Sequence, residues 1–304
     1  MRRGTRIAAG AATCLALAVG LAWNGPYFAG QARTPSEAQA ATKPSFKKVF
    51  IVVLENTEAE DALQQPYHQK LKNEGAYLGN FFALVRGSLP NYIAMVSGDT
   101  HGVDGDSADV NARTIVDLLK AKRMTWKSYA EDYPGNCFTG AKSTAHGTHY
   151  VRKHEPFINF KTIRDDPERC KLIVPATELQ KDIDRDSVPT YSLYIPNTRN
   201  NGHDTGVKDA DAWLKQTFAP LIEPKDSKFM KDMLFVVTYD EGKKGPQGKN
   251  HIYTVLRGAS VIPGKVSDTR YTFYNLLKTL EETLGLGTLT ANDKNAEPIT
   301  GVWK

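Results

Sequence analysis

Two pairs of oxygen-bearing side chains follow the two most hydrophobic segments of the chain. The pair Glu55-Asn56 comes directly after residues 48–54, and the pair Asp240-Glu241 comes directly after residues 233–239. Carboxylate and amide oxygens suit a divalent cation such as Mg²⁺, Ca²⁺ or Mn²⁺, or an oxygen-tolerant zinc or iron site. Either pair alone could instead cap the start of a helix, because acidic side chains favour that end of the helix dipole. Since both segments carry such a pair, the sequence predicts a metal site built from these four side chains, with the identity of the metal left open.

A serine between a predicted strand and a predicted helix is the candidate nucleophile. Ser88 lies in the sequence Gly-Ser-Leu-Pro-Asn-Tyr, after a strand predicted over 77–84 and before a helix predicted over 90–96. Backbone N–H groups at a helix start can hold an anion, and a nearby metal would stabilise the alkoxide of a serine. The same position is also typical of a simple N-cap serine, so both interpretations stay open at this point.

Histidine next to an acid occurs on two loops. His203-Asp204 follows a strand predicted over 190–195, on a loop that contains glycine. Such a pair can supply a general acid, a metal ligand or both, although a single loop histidine is more often a surface residue. His154, in the sequence Lys-His-Glu-Pro, is a weaker signal of the same kind.

Predicted strands alternate with predicted helices along the chain, which indicates how these side chains could meet. This order predicts an α/β fold with a mostly parallel sheet and helices on both faces. Ligands of such sheets bind at the carboxyl ends of the strands. The other predicted strands cover 125–129 and 252–256, and the other predicted helices cover 65–74, 111–122 (capped by Asn111), 177–186, 209–221 and 271–284. Residues 132–170 show no clear periodicity and are interpreted as a long excursion near the active site.

Composition and charge exclude several classes of protein. The chain has 304 residues, of which 40% are hydrophobic and 24% are charged, so it is neither disordered nor a coiled coil. The net charge is +5, and the first 40 residues hold four arginines and one glutamate, which leaves +2 for the rest. This mild charge gives no indication of a nucleic-acid-binding domain.

The amino terminus has the pattern of an export signal. Three arginines at positions 2, 3 and 6 precede the uncharged segment 7–23, and Ala38-Gln39-Ala40 fits cleavage before Ala41. We therefore expect a signal peptide over 1–40, a linker over 41–46 and a catalytic domain over 47–304, in a secreted or periplasmic protein with no membrane span after cleavage. The alternative is a retained anchor, for which the 17 apolar residues are short.

The cysteines are consistent with export. Cys14 would leave with the signal peptide, and Cys137 and Cys170 would remain as an even pair. In an oxidising compartment such a pair usually forms a disulfide, although two buried free thiols are the alternative.

Six segments in order resemble the bacterial and fungal phosphoesterase family of secreted acid phosphatases and phospholipases C, a branch of the alkaline-phosphatase-like superfamily. They span residues 47 to about 290 and read VVLEN at 52–56, SLPNY at 88–92, WKSYAE at 126–131, KHEPF at 153–157, PN at 196–197 with GHD at 202–204, and YDEG at 239–242. The resemblance implies an α/β/α sandwich around the sheet.

The resemblance also implies roles for individual residues. Glu55, Asn56, Asp240 and Glu241 would hold a divalent metal, and Ser88 would form a phosphoseryl intermediate. His154, His203 and Asp204 would bind phosphate oxygens or assist the leaving group. From the residue types themselves we expect Arg86, Asn91 and Lys153 to bind substrate, with the Arg86 guanidinium able to clamp phosphate through two hydrogen bonds. Two departures stand out: Arg86-Gly87 replaces a His-Pro common in relatives, and Thr272-Phe273-Tyr274 replaces an Asn-His-Tyr.

These inferences favour a secreted, metal-dependent phosphatase that hydrolyses small phosphomonoesters through a phosphoserine. A phospholipase C acting on lipid diesters is the first alternative, and a catalytically weak phosphate-binding homologue is the second. The sequence leaves open the natural substrate, the pH optimum and the oligomeric state.

Overall fold

A computed structural model describes residues 42–143, 145–243 and 248–304. The predicted signal peptide and Cys14 lie outside the described residues. Within these residues eight strands form one sheet in the order β4-β3-β5-β1-β6-β7-β2-β8. The strands are β1 (Lys48–Leu54), β2 (Ala76–Leu78), β3 (Trp126–Ala130), β4 (Ile173–Pro175), β5 (Tyr191–Ile195), β6 (Met233–Tyr239), β7 (Thr254–Arg257) and β8 (Lys265–Ser267).

The centre of the sheet consists of β1 and β6, which run parallel in a register that pairs Leu54 with Tyr239. Both strands are apolar along nearly their whole length and buried on both faces, as expected for central strands of a parallel sheet. Phe50 of β1 contacts Phe235 of β6 and Phe218 of a covering helix, with ring centroids 5.9 and 5.8 Å apart. Burial of each such ring contributes about 1.5–3 kcal/mol to stability. The packed core therefore holds the carboxyl ends of β1 and β6 in fixed positions beside each other.

Helices complete an α/β/α sandwich, as predicted. Of the eight strands only β7 runs antiparallel to its neighbours. The helices are α1 (Ala59–Ala62), α2 (Pro66–Glu74), α3 (Ser88–Ser97), α4 (Ile115–Ala121), α5 (Lys161–Arg164), α6 (Pro167–Cys170), α7 (Glu178–Asp184), α8 (Val207–Ile222), α9 (Phe273–Thr283) and α10 (Ala291–Asn295). Helices α3, α4, α9 and α10 pack on one another, whereas α2 packs on α8. In the described parts of the chain no helix is both long and apolar enough to cross a membrane.

Several predicted boundaries are corrected by the structure. The predicted strand 77–84 ends at Leu78, because the chain then turns away and makes only isolated bridges at Phe81 and Phe82. The helix predicted over 90–96 already begins at Ser88. The helix predicted to begin at Asn111 is capped by Thr114, whose backbone N–H donates to the Asp117 side chain at 2.7 Å.

The long excursion over residues 132–170 is crosslinked by a disulfide, as the cysteine pattern predicts. A disulfide joins Cys137 to Cys170, with the two Cα atoms 5.5 Å apart. The segment contains two 3₁₀ turns, Arg152–His154 and Phe157–Asn159, that periodicity did not reveal. In the chain-entropy description a crosslink over 33 residues stabilises the fold by about 3–4 kcal/mol.

Candidate active site

Two adjacent strand ends bring the two predicted metal-binding pairs together. Because β1 and β6 are parallel neighbours that end in register, Glu55-Asn56 and Asp240-Glu241 leave the sheet side by side. The Asp240 N–H extends the ladder by donating to the Leu54 carbonyl at 3.0 Å, and the Asn56 N–H donates to Asp240 Oδ1 at 3.2 Å. Asn56 adopts a left-handed φ of 49°, which turns its backbone towards Asp240.

Ser88 lies at the amino-terminal end of α3 and faces the carboxylates of both pairs. Its hydroxyl donates to Glu55 Oε2 at 3.2 Å and to Glu241 Oε1 at 3.4 Å. The preceding Gly87 has a φ of 111°, a region that favours glycine, and its N–H donates to Glu241 Oε2 at 2.8 Å. The strand ends and the helix start thus converge on one serine oxygen.

Burial makes this cluster electrostatically costly. Glu55, Asp240 and Glu241 are each at most 1% exposed. Burial, together with the charge of Asp240, raises the pKa of Glu55 well above its ordinary value. Burial and the neighbouring charge of Glu241 raise the pKa of Asp240 to about 7. Glu55 and Asp240, which are buried in one place, therefore resist being ionised together.

The donor set fits a hard divalent cation. Asn56 Oδ1 and Asp240 Oδ2 are buried and have no hydrogen-bond partner among the described residues, which is unusual for such atoms. Among the described residues, no group of three or more His, Cys, Asp or Glu side chains is arranged to hold a metal ion. The donors here include an amide and a hydroxyl, and two of the carboxylates are turned to bond Ser88 and Gly87. The unpartnered oxygens of Asn56 and Asp240 are therefore the atoms of the cluster with free capacity for a cation.

His154 lies next to Ser88 by way of Glu55. Its Nε2 atom is 3.3 Å from Glu55 Oε1 and its Nδ1 atom is 3.4 Å from the amide nitrogen of Asn201. Burial, with the charges of Lys153 and His203, lowers the pKa of His154 well below its ordinary value, so the ring is neutral. A neutral ring with Nδ1 accepting from Asn201 carries its proton on Nε2, the atom that faces the site.

His203 and Asp204 lie farther out, on the loop after β5. His203 Nδ1 is 2.7 Å from Asp204 Oδ1, and the rings of His203 and His154 are 5.9 Å apart. Thr198 donates to the other Asp204 oxygen at 2.5 Å. Burial alone would raise the pKa of Asp204, but hydrogen bonds from Thr198 and His203 lower it, so the carboxylate stays charged and orients the histidine.

The predicted substrate-binding residues lie in three different places. The Arg86 guanidinium donates to the carbonyls of Lys243 and Gly248, so it faces a loop rather than Ser88. Asn91 is fully buried and uses its amide on the loop before Ser88, where it bonds the carbonyl of Gly87 at 2.9 Å. Lys153 faces Asp106 at 3.6 Å, away from the acidic cluster. Whether any of them touches substrate stays a prediction.

Three further residues shape the site and were not assigned from the sequence. Tyr92, one turn after Ser88 on α3, donates to Glu55 Oε1 at 2.6 Å. Asn201 accepts from the Glu55 N–H at 3.0 Å through its carbonyl and from the His203 N–H at 2.9 Å through its side chain. Glu131 accepts from the Asn197 N–H and the Asn200 amide at 3.0 and 2.6 Å, which fixes the loop that carries His203. All three lie inside or beside the quoted motifs, which is the signal that could have identified them.

The chain has the fold of alkaline-phosphatase-like proteins. The crystal structure of a protein in the alkaline phosphatase superfamily from Vibrio parahaemolyticus superposes with a TM-score of 0.59 and 13% identity, covering 84% of this chain and 70% of that chain. At this identity the likeness shows the fold alone. The sequence profile of the Phosphoesterase family matches residues 39–287, so the chain belongs to that family.

Two relatives illustrate the breadth of the match. A phosphate-repressible acid phosphatase from Penicillium chrysogenum is 34% identical over 81% of this chain and 60% of its own length. A phosphatidylinositol-3-phosphatase from Mycobacterium tuberculosis is 33% identical over 87% of this chain and 85% of its own length. The chain spans only about three fifths of the length of the fungal relatives.

Proposed function

We propose that this protein is an exported, metal-dependent phosphomonoesterase in which Ser88 forms a phosphoserine. The observation that carries the proposal is the position of the Ser88 hydroxyl, held at a helix start between Glu55 and Glu241 from two neighbouring strands. The relatives named as an acid phosphatase and a phosphatidylinositol-3-phosphatase support a phosphomonoester substrate. The sequence of residues 1–40 and the Cys137–Cys170 disulfide support export.

The chain's own residues account for the proton movements of such a reaction. As the Ser88 oxygen forms its bond to phosphorus, its proton passes to a carboxylate that it already faces, and Glu55 Oε2 is the nearer at 3.2 Å. The bond from phosphorus to the leaving group breaks, and His203, oriented by Asp204, gives a proton to the departing oxygen. Water then attacks the phosphoserine: His203 takes a proton from the water, Glu55 returns its proton to the departing Ser88 oxygen, and phosphate is released.

A divalent cation would be held by Glu55, Asn56, Asp240 and Glu241. When bound it would supply positive charge to the phosphate oxygens and to the serine alkoxide. His154 would add a donor to the anion site, because its Nε2–H lies 3.3 Å from Glu55 Oε1 yet makes no hydrogen bond among the described residues.

The decisive experiment measures hydrolysis of p-nitrophenyl phosphate by the wild type, by Ser88→Ala and by Ser97→Ala, with and without a chelator. Ser97 is a buried serine at the other end of α3 that bonds only backbone carbonyls and His101, so it is the matched control. We expect Ser88→Ala to lose at least about a thousandfold in kcat, since a missing nucleophile is not replaced by binding. Ser97→Ala should keep most of the activity.

Acid quenching during turnover and peptide mass mapping should locate the phosphate on Ser88. Phosphate on another residue, or normal turnover by Ser88→Ala, contradicts the proposed nucleophile. Binding of phosphate without hydrolysis of any ester would instead favour the phosphate-binding homologue. Faster cleavage of dispersed phosphatidylcholine than of p-nitrophenyl phosphate would favour a phospholipase C.

A further inference from the structure

A cavity of about 580 Å³ opens beside His203, between the excursion that carries His154 and the loop after β5. We call it the loop cavity. The acidic and basic side chains that line it are Asp106, Lys142, His149, Lys153, His203 and Asp204. Its volume is within the range of small-molecule sites.

One histidine that lines the loop cavity, His203, lies beside a histidine of the reaction site, His154. His203 lines the cavity, and its ring lies 5.9 Å from that of His154. His154 in turn lies 3.3 Å from Glu55, the acceptor of the Ser88 hydroxyl. Because His203 is the proposed proton donor to the leaving group and also lines the loop cavity, a leaving group held at His203 would lie at this cavity.

The backbone of the cavity wall is ordered by a short antiparallel pairing. Lys142 pairs with Val151, and the Ser143 N–H donates to the Tyr150 carbonyl at 3.1 Å. Tyr150 is buried beneath the wall. Lys142 is thus placed at the cavity by main-chain bonds and not by an ion pair of its own.

Three of the four hydroxyl groups that line the cavity are already bonded to protein groups, and the fourth, that of the buried Tyr150, has no partner among the described residues. Ser143 and Thr148 bond each other at 2.7 Å, Thr148 reaches a backbone carbonyl, and Thr198 donates to Asp204. A neutral polyol would find few free partners among them.

The cavity-lining side chains that remain free to bind a ligand are mostly cationic. Lys142 has no ion-pair partner among the described residues, and Lys153 meets the largely exposed Asp106 only at 3.6 Å. His149 adds a third nitrogen-bearing group. Of the two acids that face the cavity, Asp204 is already bonded on both oxygens by His203 and Thr198.

We propose that the loop cavity binds the leaving group of the substrate and selects leaving groups that carry a second phosphate, as in a sugar bisphosphate. The inference rests on the proposed function and names the substrate class of the same site. The second phosphate lies between Lys142 and Lys153. Its negative charge is balanced there by the two ammonium groups, which no acidic side chain fully neutralises.

The test compares kcat/KM for fructose 1,6-bisphosphate with kcat/KM for fructose 1-phosphate and fructose 6-phosphate. The two monophosphates present each scissile ester without the second anion. We expect the bisphosphate to exceed the better monophosphate by about fivefold or more, which corresponds to about 1 kcal/mol for one partly exposed charge pair. Added salt should reduce this ratio, because the groups are open to solvent.

Two charge-removing variants isolate the cavity. Lys142→Gln should lower the bisphosphate-to-monophosphate ratio about threefold or more, whereas Lys265→Gln, an exposed position on the edge strand β8, should leave the ratio unchanged. A wild-type ratio near one, or equal falls in both variants, overturns the inference. If p-nitrophenyl phosphate and the monophosphates are hydrolysed while the ratio is one, the proposed function stands and only the cavity's selectivity is wrong. If no ester is hydrolysed, both proposals fail.

Discussion

Glu131 provides a sharp test of how the His203 loop is held. Its carboxylate accepts four hydrogen bonds: Oε1 from the Tyr194 hydroxyl and the Trp213 indole, each at 3.1 Å, and Oε2 from the Asn197 N–H and the Asn200 amide. Burial raises the pKa of Glu131 although all four bonds favour the charged form. The geometry therefore depends on an acceptor-only side chain at this position.

The change Glu131→Gln keeps the shape and removes half of the acceptor capacity. One oxygen remains for two of the donors, and the new NH₂ group faces the other two. Each hydrogen bond to a charged group contributes about 1.5–3 kcal/mol, so two lost bonds cost about 3–6 kcal/mol. Relief from burying a charge offsets part of this, which leaves a net loss of about 2–4 kcal/mol. At about 2 °C per kcal/mol for a chain of this size, Tm should fall by about 4–8 °C.

The assay is thermal unfolding of the purified variant, with kcat/KM for p-nitrophenyl phosphate measured well below Tm. We expect kcat/KM to fall at least about tenfold, because a loop displaced by 1 Å would move His203, the proposed proton donor, out of reach. Glu168→Gln is the control, since its carboxylate is 79% exposed and pairs only with Lys171. A Tm loss no larger than that of the control, with normal kinetics, would refute the reasoning.

The remaining predictions concern the disulfide and one buried acid. Peptide mapping without reduction should recover Cys137 linked to Cys170, and Cys137→Ser should lower the free energy of unfolding by about 2–4 kcal/mol; two free thiols in exported protein would contradict this. Glu281 is 1% exposed with both oxygens unbonded, and burial and Asp293 raise its pKa to about 9. The folded state thus holds its proton more tightly than the unfolded state, so stability falls as pH rises from about 4.5 towards 9. Denaturant titration should show Glu281→Gln more stable than wild type by about 1–3 kcal/mol at pH 8 and nearly equal at pH 4; equal stability at pH 8 would disprove the assignment.

The central strands of the sheet were predictable because each is encoded by a short continuous run of apolar residues. The runs 48–54 and 233–239 are apolar along nearly their whole length, and both predicted strands match β1 and β6 residue for residue. A strand buried on both faces needs such a run. The acid pairs that follow could then be placed at one edge by topology alone. The three-residue edge strands β4 and β8 were not predicted, since three residues carry too little pattern to distinguish them from loop.

The placement of the surrounding side chains was not predictable, because it depends on loop conformation. Lys153 and His154 are adjacent in one 3₁₀ turn, yet the lysine faces Asp106 and the histidine faces Glu55. Arg86 reaches carbonyls more than 150 positions away in the chain. No periodicity encodes these directions, so residue type and order could suggest a role in phosphate binding without fixing contact.

Phosphate binding itself should require a cation, and the argument is electrostatic. The anion would meet the buried carboxyl groups of Glu55, Asp240 and Glu241, and like charges 4 Å apart repel by about 4 kcal/mol at an effective dielectric constant of 20. The nearest predicted cations do not offset this, since Arg86 bonds loop carbonyls and Lys153 pairs with Asp106.

Calorimetric titration with inorganic phosphate should therefore show no binding to chelator-treated protein. Millimolar or tighter binding should return with an effective cation from the set Mg²⁺, Ca²⁺, Mn²⁺ and Zn²⁺. Asp240→Asn should weaken the affinity for that cation at least about tenfold, because it removes one charged oxygen ligand, while the exposed control Asp226→Asn should not. Equal phosphate affinity with and without chelator would mean that protein groups alone balance the charge of the anion. In that case Glu55, Asn56, Asp240 and Glu241 would not form a metal site. They would form a pocket that binds phosphate directly, through carboxyl groups that carry their protons.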